Sequence, residues 1–511
     1  MYGKVFSSCL YGIEGQIIET EIDIQRGLPQ FHIVGLPDSA VRESTERVRA
    51  AIRNSGFEFP LSRITVNLAP AGIRKEGPAL DLAIALGILL TSGQWKAPDP
   101  EPVLIIGELA LDGSVRKVAG VLPMIASADK AGFRRFIVPV DNAAEAAYAT
   151  QGSIEMIRHL RDIVRPLPLY DRSLQKAATP PPAAPDFADV RGQHHAKRAI
   201  AVAAAGMHNI LLVGPPGSGK TMLIRRMPGI LPDMDDQEAI EVSKIYSAIK
   251  PLDEHQPLIR QRPFRAPHQN ITQQGLIGGG NVPRPGEISL AHKGVLFLDE
   301  LPEFPRHVLE QLRQPLEDGQ VTISRARASC VFPCRFILAA AMNPCPCGRW
   351  GDDREQSEPC VCTPHRIARY RHKISAPLLD RIDLQVEVPR AQLSDLLGND
   401  KKEPVRLTSQ MLKEQVLEAR ERQKWRFKHE RIGCNGEMSA ALVQRYCALD
   451  AKGTALLKQA FQLYHMSART WHRILKLART IADLEQSGTI REEHLAEALQ
   501  YRFMDKPLLQ V

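Results

Sequence analysis

The sequence predicts an α/β protein in three parts: a mixed strand-and-helix segment, a central three-layer segment on a parallel sheet, and a helical C-terminal segment. Three observations predict it. The run Gly214-Pro215-Pro216-Gly217-Ser218-Gly219-Lys220-Thr221 stands between an apolar strand candidate, Asn209 to Val213, and a helix candidate, Met222 to Met227. A second apolar run, Gly294 to Leu298, ends in two carboxylates, Asp299 and Glu300. Beyond residue 390 the apolar positions recur with helical spacing. Strands alternating with helices around such a loop imply a parallel sheet covered on both faces.

In chain order, residues 1–170 show strand candidates at Phe31 to Val34, Ile64 to Leu68, Val103 to Ile106 and Phe136 to Val140. Helix candidates there are Ser39 to Asn54, Ala79 to Thr91 and Met124 to Ala131. Residues 171–187 hold Pro180, Pro181, Pro182 and Pro185 among alanines, which predicts a stiff, solvated linker. Residues 188–390 form the central segment. In 391–511 the helix candidates are Gln392 to Leu397, Thr408 to Phe427, Ala440 to Cys447, Ala451 to His465, Ala468 to Gln486 and Arg491 to Arg502.

At 511 residues the chain exceeds one hydrophobic core. The most apolar N-terminal stretch, Ala79 to Leu90, is too short to cross a membrane and carries Asp81. Asp81 reads as a helix cap or a solvated acid, not a catalyst. The first residues lack the charged-then-apolar layout of a secretion signal, so a cytoplasmic location and no membrane partner are predicted. Nine cysteines, an odd number and partly clustered, then read as thiols or metal ligands rather than a disulfide framework. A net charge of +8 suits a polyanion partner such as DNA.

The run Gly214 to Thr221 fits G-x-x-x-x-G-K-[ST], in which backbone amides cradle a polyphosphate, Lys220 reaches the β- and γ-phosphates, and the Thr221 hydroxyl holds Mg²⁺. Asp299 is placed to hold the same Mg²⁺ through water, and Glu300 to activate the attacking water. ATP and Mg²⁺ are therefore the predicted cofactors. A further buried-strand candidate, Phe336 to Ala341, is followed by Met342-Asn343-Pro344, which puts an amide at a strand tip where it can position water. Arg381, in Leu378 to Asp383, can serve a neighbouring subunit's nucleotide, or pair with Asp380 or Asp383. Arg469 opens a long helix candidate and can reach a γ-phosphate; Arg473 lies one turn on, on the same face.

These residues, with Asp189 to Gln193, Gly286 to Glu300, Pro315 to Gly319, Leu378 to Asp383 and Ala478 to Leu484, resemble the ComM/YifB family of magnesium-chelatase-like AAA+ ATPases over nearly the whole chain. The resemblance implies a central AAA+ core with a helical lid. It makes Asn343 sensor 1, Arg381 the arginine finger and Arg469 sensor 2, and places Val190 and Gln193 near the adenine. It also implies a homo-hexameric ring that moves single-stranded or branched DNA, as a branch-migration helicase in recombination and natural transformation, with recombination proteins as partners. Such families often carry paired histidines after Arg-Ala-Pro; here Arg265-Ala266-Pro267 is followed by His268 and Gln269. His268 to Gly286, with Gly278-Gly279-Gly280, resembles the insert in helix 2 that faces the pore of such rings. Residues 1–170 resemble the Lon protease domain, through Glu76 to Ala79 and Gly107 to Gly113. That enzyme uses a Ser-Lys pair; here Ala79 stands in the serine's place and about Leu122 in the lysine's, so no acyl-enzyme can form.

Cys345, Cys347, Cys360 and Cys362 form two close pairs that can wrap one tetrahedral Zn²⁺ or stand as four reduced thiols. Cys330 and Cys334 flank a strand and are read as core residues. Two basic clusters with aromatics are candidate DNA contacts: Arg366, Arg369, Arg371, His372 and Lys373 around Tyr370, and Arg420, Arg422, Lys424, Arg426, Lys428, His429 and Arg431 around Trp425. Two other readings remain at this level, a chelatase-type ATPase subunit and an ATP-dependent scaffold that is not a motor.

Overall fold

The computed structural model describes the chain apart from residues 97–100, 175–184, 254–255, 281–282, 326–327, 352–358, 391–405, 464–465 and 503–511. Most of the linker and the helix candidate Gln392 to Leu397 lie outside the described residues.

The N-terminal part is built on a seven-stranded mixed sheet. Its order is Gln30–Val34, Arg63–Ala69, Glu14–Gln25, Tyr2–Tyr11, Val103–Ile105, Arg135–Pro139, Ser153–Ile157. The hairpin Tyr2–Tyr11 with Glu14–Gln25 supplies its longest strands, and the sequence reading had not placed it. Its signal is masked because small polar residues are buried in it: Ser7 is fully buried and donates to the Ile105 carbonyl at 2.6 Å. The helices Ser39–Asn54 and Asp81–Thr91 fall where the pattern puts them. Asp81 corrects its own reading. It is fully buried, and it accepts from Arg47 Nε at 2.7 Å, from Ser44 Oγ, and from the Leu109 amide at 3.4 Å. It is therefore neither a side-chain cap nor solvated; it ties two helices and a strand together. Ala79 packs among Leu104, Ile106 and Val121, and Leu122 packs in a different apolar cluster.

The central part holds a five-stranded parallel sheet in the order Phe264–Arg265, Val295–Leu298, Ile337–Met342, Ile210–Val213, Leu384–Glu387. The strands after the edge pair are almost wholly buried, as the unbroken apolar runs require. The predicted helix Met222 to Met227 begins earlier and is shorter: Lys220–Ile224, then a 3₁₀ turn Met227–Ile230. Pro228 and Gly229 end the α-helix there. Cys330 and Cys334 are both buried.

Helices follow: Ser409–Arg426, Ala440–Tyr446, Ala451–Leu463, Ala468–Leu484 and Glu492–Gln500. Ser439, Thr408 and Ser467 cap three of them by accepting from backbone amides three residues on. Arg473, on Ala468–Leu484, donates to Asp383 Oδ1 at 2.6 Å and to the Arg381 carbonyl at 3.0 Å, which locks this helix to the sheet. Among the described residues no helix is long and apolar enough to cross a membrane.

The proline-rich stretch reads as a stiff, solvated linker, and the N-terminal and central parts on either side of it touch. Leu122 packs with Met234, Ala239, Val242 and Leu258. The buried Glu145 carboxylate accepts from the Leu122 amide at 3.1 Å and from Ser247 Oγ.

Candidate nucleotide site

The strand register decides which residues meet. Val213 pairs with both Met342 and Glu387, and Leu298 pairs with Ala340. The neighbouring strands therefore end at one edge, where the chain continues as Gly214, Asn343 and Asp299. At Gly214 a Cβ would stand 2.1 Å from the Val388 carbonyl oxygen, so only glycine lets the two chains pass. Gly217 and Gly219 take φ of +75° and +88°, which turns the loop back on itself above the helix Lys220–Ile224.

Lys220 Nζ donates to the Gly214 carbonyl at 2.8 Å and the Pro215 carbonyl at 2.9 Å, and lies 3.4 Å from Asn343 Oδ1. Burial lowers its pKa, the carboxylates of Asp299 and Glu300 oppose that, and Arg390 adds to it. Thr221 Oγ1 donates to Asp299 Oδ2 at 2.8 Å. An ammonium, a turn of backbone amides and a hydroxyl–carboxylate pair are the donor set for a polyphosphate and its Mg²⁺, so the residues fit that ligand. Glu300 is held in left-handed backbone, φ +52°, and its side chain is engaged: Gln269 Nε2 donates to Oε2 at 2.6 Å. Gln193 opens the helix His194–Gly206 and donates to the Pro389 carbonyl at 2.6 Å; Val190 is buried beside it. Gln193 thus borders the segment that abuts Gly214.

Arg381 and Arg469 lie elsewhere. Both bind one carboxylate, Glu317: Arg381 Nη2 on Oε2, and Arg469 Nη2 on Oε1 at 3.2 Å. Burial would raise the Glu317 pKa, but the two guanidiniums hold it below the usual carboxylate range. The structure therefore brings Lys220, Thr221, Asp299 and Asn343 together and gathers Arg381 with Arg469 in a second group.

Cys345, Cys347, Cys360 and Cys362 converge, with all four Sγ atoms within 4.8 Å of one another. Three Sγ separations are 3.3, 3.5 and 3.7 Å. The Trp350 amide donates to Cys345 Sγ at 3.4 Å. This loop packs on the phosphate loop: a Cβ on Gly348 would meet Pro216 Cδ at 2.5 Å.

The family model for the magnesium chelatase subunit ChlI matches residues 186–396, that for subunit ChlI of Mg-chelatase matches 20–142, and that for the ChlI C-terminal part matches 406–502. The competence protein ComM of Haemophilus influenzae is 43% identical over 511 residues, 98% of this chain and 97% of that protein. The chain belongs to the ComM/YifB family. A second relative in it, the uncharacterized protein YifB of Escherichia coli K12, is 40% identical over 519 residues, 99% of this chain and 98% of its own. The N-terminal likeness to Lon is also present: Lon protease 2 of Bacillus subtilis is 28% identical over 157 residues, 27% of this chain and 28% of that one. As a ComM/YifB chain this is a magnesium-chelatase-like AAA+ ATPase, a family that implies ATP and Mg²⁺.

The sequence reading of this ComM/YifB chain needs two corrections at the basic clusters. Tyr370 is only 7% exposed, so it cannot stack on a base, and Arg371 lies over Trp350 with its guanidinium carbon 4.6 Å from the ring centroid. In the second cluster Arg426 turns inward to Asp483 and Arg420 donates to the Ala204 carbonyl at 3.4 Å. Trp425 remains 76% exposed with Lys428 near its ring. Two residues beside the site were missed, and one at the arginine group. Gln269 holds Glu300, Glu317 holds two arginines, and Arg390 sits close enough to act on Lys220. Gln269 left a trace in the sequence, as the departure from paired histidines, and Glu317 lies in the quoted segment Pro315 to Gly319.

Proposed function

We propose that this chain is an ATP-driven motor that works as a homo-hexameric ring in the cytoplasm and moves single-stranded or branched DNA in recombination, as in integration of transforming DNA. Residues 188–390 would be the motor core and 391–511 its lid, with the Lon-like part, 1–170, serving assembly or DNA handling. Lys220 and Thr221 would bind phosphate and Mg²⁺ with Asp299. Glu300 would take the proton of the attacking water, and Asn343 would orient that water.

One observation carries the reading. Arg381 and Arg469 are paired with each other through Glu317 and not with their own phosphate loop. A site that needs an arginine at the γ-phosphate is then completed by a neighbouring copy, and head-to-tail copies close a ring. Exposed Trp425 among Arg422, Lys424 and Lys428 supports a polyanion partner. The test is ATP turnover and strand exchange with single-stranded, duplex, forked and four-way DNA at fixed salt. Glu300→Gln is expected to keep ATP binding and lose DNA movement; intact movement in that variant would sink the motor reading.

The four thiols support a structural Zn²⁺. A tetrahedron with Zn–S bonds of about 2.3 Å has edges of about 3.8 Å, close to the sulfur separations seen. Purified protein is expected to carry about one zinc per chain by metal analysis, falling toward zero in a Cys345→Ser, Cys360→Ser variant. A zinc-free wild type would leave four thiols as the answer.

A further inference from the structure

One carboxylate collects the two arginines that lie away from their own phosphate loop, and it belongs to neither of their elements. We propose that Glu317 is a positioning residue: it sets Arg381 and Arg469 side by side as one unit and presents them to the nucleotide of the adjacent copy. The inference rests on the shared ATP site proposed above.

Three elements meet at Glu317. Arg381 follows the short helix Ala376–Leu379, and Arg469 is the second residue of the helix Ala468–Leu484. Glu317 lies in the helix Pro315–Asp318, which turns at Gly319, φ +65°, into the strand Gln320–Arg325. The backbones of the two arginines are already tied together, because Arg473 Nη1 donates to the Arg381 carbonyl at 3.0 Å and to Asp383 Oδ1 at 2.6 Å. That tie leaves the two guanidiniums to be placed. Glu317 takes one with each oxygen: Arg381 Nη2 on Oε2, and Arg469 Nη2 on Oε1 at 3.2 Å.

Neither arginine has reason to hold this place without the carboxylate. Two guanidinium charges brought to one point repel each other. Arg469 stands in the first turn of its helix, where the positive end of the dipole opposes a cation. Arg381 is nearly buried; its Nη1 donates to the Pro377 carbonyl at 2.7 Å, and its Nε is buried with no hydrogen-bond partner among the described residues. Its contact with Glu317 therefore decides how a desolvated charge is met. A carboxylate between the two forks offsets the repulsion and fixes the direction of each. Such fixed donors stabilise a transition state better than mobile ones, because no reorganisation is needed during the reaction.

The test is Glu317→Gln in the full-length protein, with Glu317→Ala beside it. Glutamine keeps the volume but has one acceptor oxygen, so it can serve one arginine and not both. The kcat for ATP hydrolysis is expected to fall about ten- to a hundredfold, the range one charge-assisted contact supports, with equilibrium nucleotide binding within about twofold of wild type. Mixing variants then separates positioning from loss of fold. Co-assembled with Lys220→Ala, which keeps both arginines, Glu317→Gln is expected to recover about a quarter of wild-type turnover; co-assembled with Arg381→Ala, it should recover nothing. The proposal is overturned if kcat in Glu317→Gln stays within about twofold of wild type or rises, or if nucleotide binding falls as far as kcat does. It is also overturned if the mixture with Lys220→Ala stays inactive while Arg381→Ala mixed with Lys220→Ala recovers. Failure of the shared site looks different: no mixture recovers, Arg381→Ala with Lys220→Ala included, and the role given to Glu317 falls with it.

Discussion

Arg381→Ala is expected to lower ATP turnover by about a thousandfold or more while leaving ATP binding nearly intact. The size follows from what an arginine supplied across an interface would do: it would neutralise charge that develops on the transferred phosphoryl group. Binding is spared because the groups that would hold the nucleotide, Lys220 and Thr221, lie in the other group of residues. Arg381 also donates to the Pro377 carbonyl at 2.7 Å, so Arg381→Lys tests geometry separately from charge. Lysine has the charge but not the planar fork and is expected to recover only a small part of the rate. The check is steady-state hydrolysis beside equilibrium nucleotide binding. Equal loss of both would mean that Arg381 supports the fold instead.

The second large effect concerns stability. Asp383→Ala is expected to cost about 3–5 kcal/mol at neutral pH, because it strips a buried carboxylate from partners that remain. Those partners are Arg473 Nη1 at 2.6 Å, the Asn209 amide at 3.0 Å and His208. Burial alone would raise the Asp383 pKa, but Arg473, His208 and the Asn209 amide outweigh it and hold it well below the usual carboxylate range. A depressed carboxylate pKa stabilises the fold fully above the unfolded value of about 4, and that stability is lost as pH falls through the folded value. The gap between wild type and variant should then not close between pH 8 and pH 5 in unfolding scans. A gap that closes within that window would place the titrating group elsewhere. Because Arg473 also binds the Arg381 carbonyl, the variant should lose turnover as well.

How legible this was in the sequence varies with what each signal depends on. The phosphate loop, the acid strand and the Asn343 strand are local patterns of apolar runs and turn residues, and the parallel register then had to bring their ends to one edge. The hairpin Tyr2–Tyr11 with Glu14–Gln25 was hidden because Ser7, Ser8 and Cys9 are buried in it, and the partner of Ser7, the Ile105 carbonyl, lies far along the chain. Asp81 misled for the same reason: its partners, Ser44 and Arg47, come from another helix. Glu317 carries no motif of its own for holding two arginines 64 and 152 residues away. Tyr370 looked like a stacking residue by its basic neighbours, but one face of a short helix decided its burial. Pairings between distant segments are what a single sequence leaves open.

The central claim is that the ATP site is shared between copies. It is tested most directly by mixing two inactive proteins, Lys220→Ala and Arg381→Ala, allowing them to assemble together, and measuring ATP turnover. In a head-to-tail ring of equal parts, roughly a quarter of the interfaces would join an intact phosphate loop to an intact arginine. The account predicts turnover returning to about that fraction of wild type. Co-assembled rings that stay as inactive as either variant alone would contradict it.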